Sequence, residues 1–186
     1  MMGNCFGGAV LILSELNGVL REVPIEKLDD YPVVASWDRA RHALVMRPAR
    51  RILISGLKDT LRVGAHYRHS SLEVTYDQRF PTTTGNKRAH DLKKGDYLYT
   101  WRKATVVTAR VTDIVAERDP QVVYDIAFDS PGTIVANGIL AHACVPKSTI
   151  RRMFEVDFKG FIPVPAGIGK PSGQAYAAIP SGHIGM

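Results

Sequence analysis

A chain of 186 residues holds one domain with a respectable core, with or without an arm. Its composition is that of an ordinary globular protein, which excludes wholesale disorder, and no apolar run reaches the ~18 residues of a membrane-spanning helix. The net charge of +6 is modest, and Arg39, Arg41, Arg47, Arg50 and Arg51 crowd one stretch. No aromatic residues interleave with these arginines to stack on bases, which argues against nucleic acid and for a solvated strand surface.

In chain order the elements are short strands and turns. Met1-Met2-Gly3-Asn4 is too short and uncharged for a signal peptide, so the cytoplasm, or an assembly made there, a virion included, is the expected location. Val10 to Leu13 and Val19 to Val23 flank Asn17-Gly18, a strong hairpin signal. Ile25 to Leu28 is a short link. Pro32 to Trp37, Leu44 to Met46 and Arg51 to Ile54 continue as strands. Leu72-Glu73-Val74-Thr75-Tyr76 alternates as a half-buried strand does. Thr83-Thr84-Gly85-Asn86 is a turn, and Lys94-Gly95-Asp96 precedes a strand from Tyr97 to Trp101. Thr105 to Val115 and Val122 to Phe128 are β-branched runs, and Asn137-Gly138 joins Thr133–Ala136 to Ile139–Ala141. Strands this frequent predict an all-β domain. Past Cys144 the texture changes. Residues 145–186 carry Pro146, Pro163, Pro165, Pro171 and Pro180, together with Phe154, Phe158, Phe161 and Tyr176. They predict an extended arm, one that orders against a protein partner or against the domain, or else a floppy tail.

Two cysteines so far apart are no disulfide framework. Their settings are more telling. Cys5 opens Cys5-Phe6-Gly7-Gly8, and Cys144 closes Asn137-Gly138-Ile139-Leu140-Ala141-His142-Ala143-Cys144. Between them stand Leu72-Glu73-Val74-Thr75-Tyr76-Asp77-Gln78, Asp91-Leu92-Lys93-Lys94-Gly95-Asp96 and Val123-Tyr124-Asp125-Ile126. Each piece alone is weak, but in this order and at this spacing they resemble the Hint family of inteins and hedgehog autoprocessing domains, whose chains cut or splice themselves.

The resemblance covers residues 5–144 and implies curled, pseudo-symmetric antiparallel sheets, with residues 1–4 as a leader and 145–186 as the arm. It implies Cys5 as the first nucleophile, Thr75 in the family's Thr-x-x-His element, Asp125 as a proton relay, and His142 and Cys144 as the first and third positions of the closing His-Asn-Cys. Three positions depart from the pattern. Gln78 stands in place of the histidine, Pro131-Gly132-Thr133 lies where a further histidine often follows, and Ala143 replaces the asparagine.

The chemistry needs those missing groups. Cys5 must attack the Asn4 carbonyl while an acid protonates the leaving amine; glutamine donates hydrogen bonds but delivers no proton near neutral pH. Ala143 has no amide to cyclise, which closes the second cut. The expected function is therefore an incomplete self-processing domain retaining at most the N–S acyl shift at Asn4-Cys5, acting on itself. The rival is a non-catalytic Hint-fold structural or interaction module in a larger assembly such as a phage tail. Ala143 is either an engineered block or natural decay; the two missing histidines favour decay. Each residue also has a plainer role: the cysteines as half-buried thiols, Thr75 as a β-former, Asp125 as a turn cap, His142 as a satisfied core histidine. His66 and His69 are spaced as a metal pair but lack cysteine or carboxylate company, so neither metal nor other cofactor is expected.

Overall fold

The computed structural model describes residues 4–54, 56–66 and 71–144. The arm at 145–186, the leader residues before Asn4 and His69 lie outside the described residues. Fifteen strands and two single 3-10 turns make up the rest. The first half holds β1 (Phe6–Gly7), β2 (Leu11–Leu16), β3 (Val19–Pro24), β4 (Val33–Asp38), β5 (Ala43–Pro48), β6 (Arg50–Leu53), β7 (Thr60–Ala65) and β8 (Ser71–Thr75). The second half holds β9 (Arg79–Thr82), β10 (Gly85–Arg88), β11 (Tyr97–Arg102), β12 (Thr105–Ala116), β13 (Val123–Ala127), β14 (Thr133–Ala136) and β15 (Ile139–His142).

Local chemistry sets the hairpins. Asn17 and Gly18 have φ of 53° and 77°, Asn137 and Gly138 of 46° and 76°. Both pairs form the two-residue turns that Asn-Gly favours, because they accept positive φ and match the strand twist. The β11–β12 hairpin turns on Lys103 and Ala104, at φ of 45° and 62°. Neither residue signals such a turn; the twelve backbone partners of the flanking strands, from Tyr97↔Arg110 to Arg102↔Thr105, impose it. Strands β7, β9 and β10 likewise carry no strong local signal and form by pairing.

The sheet runs β5-β4-β2-β14-β15-β11-β12-β7-β8-β1-β13-β6, with β3 beside β2 and the β9–β10 hairpin beside β11. All these strand pairings are antiparallel, as expected. The long β12 joins two parts of it: Thr105–Arg110 pairs with β11, and Val111–Ala116 pairs with β7. A register shift between Val111 and Asp113 bends the strand where it passes from one partner to the other. Gly64 faces that bulge, where any Cβ would collide with the side chains of Thr112 and Asp113.

Inside the curl, Phe6, Phe80 and Phe128 are fully buried among Ile12, Leu72, Leu98, Ile126 and Ile139. A smaller cluster of Leu13, Ala35, Leu44, Met46 and Val135 packs against Trp101, whose ring lies 5.9 Å from that of Trp37. The arginine stretch departs from expectation. Arg39 and Arg41 are exposed, but Arg47 and Arg51 keep only 18% and 20% of their side-chain surface. Arg47 lies 4.0 Å over the Phe128 ring and Arg51 5.4 Å from that of Tyr124. Their long stems cover aromatic core residues while the guanidinium groups bind carbonyls and carboxylates, so they act as lids rather than as a solvated face.

Candidate functional site

The two ends of the described domain meet on one strand. Strand β13 has β6 on one edge, with Tyr124 opposite Leu53. Its other edge receives β1, with Phe6 opposite Tyr124 and Gly7 opposite Val123. Farther along the same edge Cys144 bridges Ala127 in parallel: Cys144 N–H donates to the Ile126 carbonyl at 3.0 Å, and Phe128 N–H donates to the Cys144 carbonyl at 3.3 Å. Continuing the β1 register by one residue sets Cys5 opposite Asp125. The first and last residues of the 5–144 span are therefore neighbours, as the Cys5–Cys144 chemistry requires, with Asp125 at the same place.

Cys5 is 3% exposed. Its backbone N–H donates to Thr75 Oγ1 at 3.2 Å, and its carbonyl accepts the Thr75 N–H at 3.0 Å. Burial pushes its thiol up to about 12; the charges of Asp125 and Cys144 add to this, while the Thr75 hydroxyl and Lys58 pull the other way. The residue before it is held as well: the Asn4 side-chain oxygen accepts the Arg79 N–H at 3.2 Å.

Asp125 is buried, and loss of hydration lifts its carboxyl to about 7, against the pull of hydrogen bonds from Cys144 and Ile126. Its Oδ1 has no partner among the described residues. The Cys144 thiol donates to this carboxylate and is itself raised to about 12, first by burial and then by Asp125. At neutral pH both thiols keep their protons, and Asp125 sits midway in its titration beside them.

Gln78 is fully buried. Its Nε2 donates to the Arg79 carbonyl at 3.0 Å and to the His142 carbonyl at 2.9 Å, 64 residues away. Its Oε1 has no partner among the described residues. Sequence reasoning expected this side chain to donate hydrogen bonds in the Thr-x-x-His element beside the first cysteine. Its amide instead joins the turn after Thr75 to the end of β15. The His142 ring points elsewhere: its Nε2 bonds Asn86 Oδ1 at 2.9 Å, so that nitrogen carries the proton. Burial and the nearby Arg79 and Arg39 hold its pKa below the usual imidazole value. The ring lines a cleft of about 380 Å³ with Trp37, Arg39, Tyr99 and Leu140.

Ala143 is buried, and its N–H donates to the Gly132 carbonyl at 3.0 Å. Where a second histidine was sought, Arg47 bonds the Pro131 carbonyl at 3.2 Å and the Ser130 carbonyl at 3.1 Å, holding the loop that binds Ala143. A Cβ on Gly132 would run into that guanidinium. Sequence reasoning singled out Arg47 only as one of a charged run and Asn86 only as a turn residue, and missed Arg79 and Lys58. Asn86 reaches His142 across 56 residues, a contact that no local signal announces. Among the described residues no group of three or more His, Cys, Asp or Glu side chains is arranged to hold a metal.

Neither a protein-family profile nor a curated protein sequence matches the chain. Solved structures do. The chain resembles a DnaB intein from Synechocystis sp. PCC 6803, with 22% identity and a TM-score of 0.67 over 75% of this chain and 98% of that one. It resembles the DnaX mini intein from Spirulina platensis at 20% identity and a TM-score of 0.62, over 74% and 98% of the two chains. An intein from a hyperthermophile aligns at 16% identity and a TM-score of 0.61, over 75% and 99%. The fold is the Hint fold of inteins. In this fold a strand as short as β1 lies between β8 and β13, and the chain after β15 returns to β13 at Cys144. Identities this low carry the fold across and leave the chemistry to this chain's own residues.

Proposed function

We propose that this Hint domain is a self-processing unit whose chemistry stops at an N–S acyl shift between Asn4 and Cys5. The observation that carries the reading is the placing of Cys5 at Asp125, with its own amide nitrogen held on Thr75 Oγ1. Cys5 Sγ attacks the Asn4 carbonyl carbon, its proton passes to Asp125, and the C–N bond breaks as the Cys5 nitrogen takes up a proton. The product is a thioester carrying Met1–Asn4 and a free amine on Cys5.

The step is slow for two reasons. A thiol at about 12 is thiolate at only ~1 part in 10⁵ at pH 7. No imidazole stands at position 78 to protonate the leaving nitrogen. The chain goes no further toward splicing, because Ala143 offers no nucleophile against its own carbonyl.

Hydroxylamine tests the reading. It should release the Met1–Asn4 peptide slowly from the native chain and not at all from Cys5→Ala, as followed by intact mass. If native chain and Gln78→His both keep full mass through long incubation, the processing reading fails. The domain is then a structural module that holds the fold without its chemistry.

A further inference from the structure

We infer that Cys5 and Cys144 form a dithiol pair that closes reversibly into a disulfide, locking the site in an inactive state. That the locked state is inactive rests on the processing reading; that the disulfide forms does not.

The argument is one of register. Cys144 bridges Ala127, and the β1 pairing leads Cys5 to a position opposite Asp125, both on the same edge of β13. Paired residues share a face of a sheet, and so do positions two apart on a strand. Cys5, Asp125 and Cys144 therefore present their side chains to one face. Two residues along a strand span about 6.6 Å, inside the Cα separation of about 4.4–6.8 Å that disulfides accept. Neither cysteine is in a disulfide, and each feels the charge of Asp125. Access is unequal: Cys5 is buried and Cys144 half-buried, so a soluble oxidant meets Cys144 first.

With a small-molecule disulfide such as oxidised glutathione as oxidant, the exchange balances. The Cys144 sulfur attacks one glutathione sulfur, forming a mixed disulfide, and its thiol proton goes to the glutathione thiolate that is expelled. Cys5 Sγ then attacks the Cys144 sulfur as its proton passes to Asp125, and a second glutathione thiolate leaves. Two protein thiols are oxidised, one glutathione disulfide is reduced to two thiols, and no other reactant is required. The closed form has no free sulfur to attack Asn4.

The test uses the native chain at low concentration in an oxidised glutathione buffer, with thiol titration after unfolding and peptide mapping. The expected result is loss of both thiols, a monomer lighter by two hydrogens, a single Cys5–Cys144 cross-link, and return of both thiols on reduction. Separate glutathione adducts on the two cysteines, disulfide-linked dimers, or two surviving thiols in a buffer that oxidises the unfolded chain would overturn the proposal. In Cys5→Ser the mixed disulfide should persist on Cys144; failure to form it overturns the assigned point of entry. A hydroxylamine arm separates this from the processing reading. Cleavage of the reduced chain and resistance of the oxidised chain supports both. Resistance of both forms, with the cross-link mapped, leaves the disulfide standing and removes the processing.

Discussion

Asp125 is a carboxyl group whose burial costs more than its hydrogen bonds return. Its folded-state value of about 7 lies above the 3.8 of an unfolded chain, so between those two pH values the folded state holds the proton more tightly. The contribution of Asp125 to stability is fully present below about pH 4, falls as pH rises toward 7, and is flat above that. The loss is on the order of 4 kcal/mol at full ionisation. Asp125→Asn, which cannot ionise, should remove this part of the pH dependence. Urea unfolding at pH 5 and pH 8 checks it: native and variant should differ in slope in this direction, and equal slopes would refute the burial account. Gln78 makes the second prediction at this scale. Gln78→His should speed thioester trapping, by at most the ~10²–10⁴ of a positioned acid-base group. The imidazole cannot reproduce both donations from Nε2 to the Arg79 and His142 carbonyls, so the variant should also lose about 1–2 kcal/mol. Trapping kinetics and denaturation on one sample separate the two effects.

Among the elements, three of the two-residue hairpins are built on different chemistry and should respond differently. The Asn17-Gly18 turn is exposed and local. Asn137 is far more than a turn residue: its Oδ1 accepts the Leu11 N–H at 2.7 Å and its Nδ2 donates to the Ser71 carbonyl at 2.7 Å. It joins β2, the start of β8 and the β14–β15 hairpin. Asn137→Ala should cost about 2–4 kcal/mol, from two lost bonds and an unfavourable positive φ, against about 1 kcal/mol for Asn17→Ala. Ala104, at a φ of 62°, carries strain that glycine would not. Ala104→Gly should raise stability by about 0.5–1 kcal/mol even though glycine is normally a destabilising replacement. Chemical denaturation of the three variants checks both signs, and a destabilised Ala104→Gly would show that the turn carries no strain.

For the molecule as a whole, the decisive property is that both ends of the domain are read out on one strand. Residue 143 is held there by Gly132, itself fixed by Arg47. The native chain should show no fragment beginning at Cys144 from mild acid to mild base, by intact mass. Ala143→Asn places an amide next to that bond and should allow cleavage before Cys144. It should be slow, because His142 Nε2 is engaged by Asn86 and burial, with Arg79 and Arg39 nearby, holds the ring's pKa below the usual imidazole value. A fragment from the native chain would refute the view that Ala143 closes the step.

The residues by themselves determined everything that depends on local covalent chemistry. Asn17-Gly18 and Asn137-Gly138 dictate hairpins because those pairs tolerate positive φ. β-branched runs dictate strands, and a methyl group at position 143 forbids asparagine cyclisation whatever surrounds it. The order of Cys5, Thr75, Asp125 and Cys144 was enough to suggest the Hint fold. Only the tertiary structure decided what depends on burial and on partners distant in sequence. Asp125 is a middling acid because the fold dries it, Gln78 serves the far end of the chain because the turn after β8 meets β15, and Asn86 reaches His142 across 56 residues. A side chain's identity sets which bonds it can make. Which it does make, and at what pKa, is set by neighbours and dielectric that exist only once the sheet has closed.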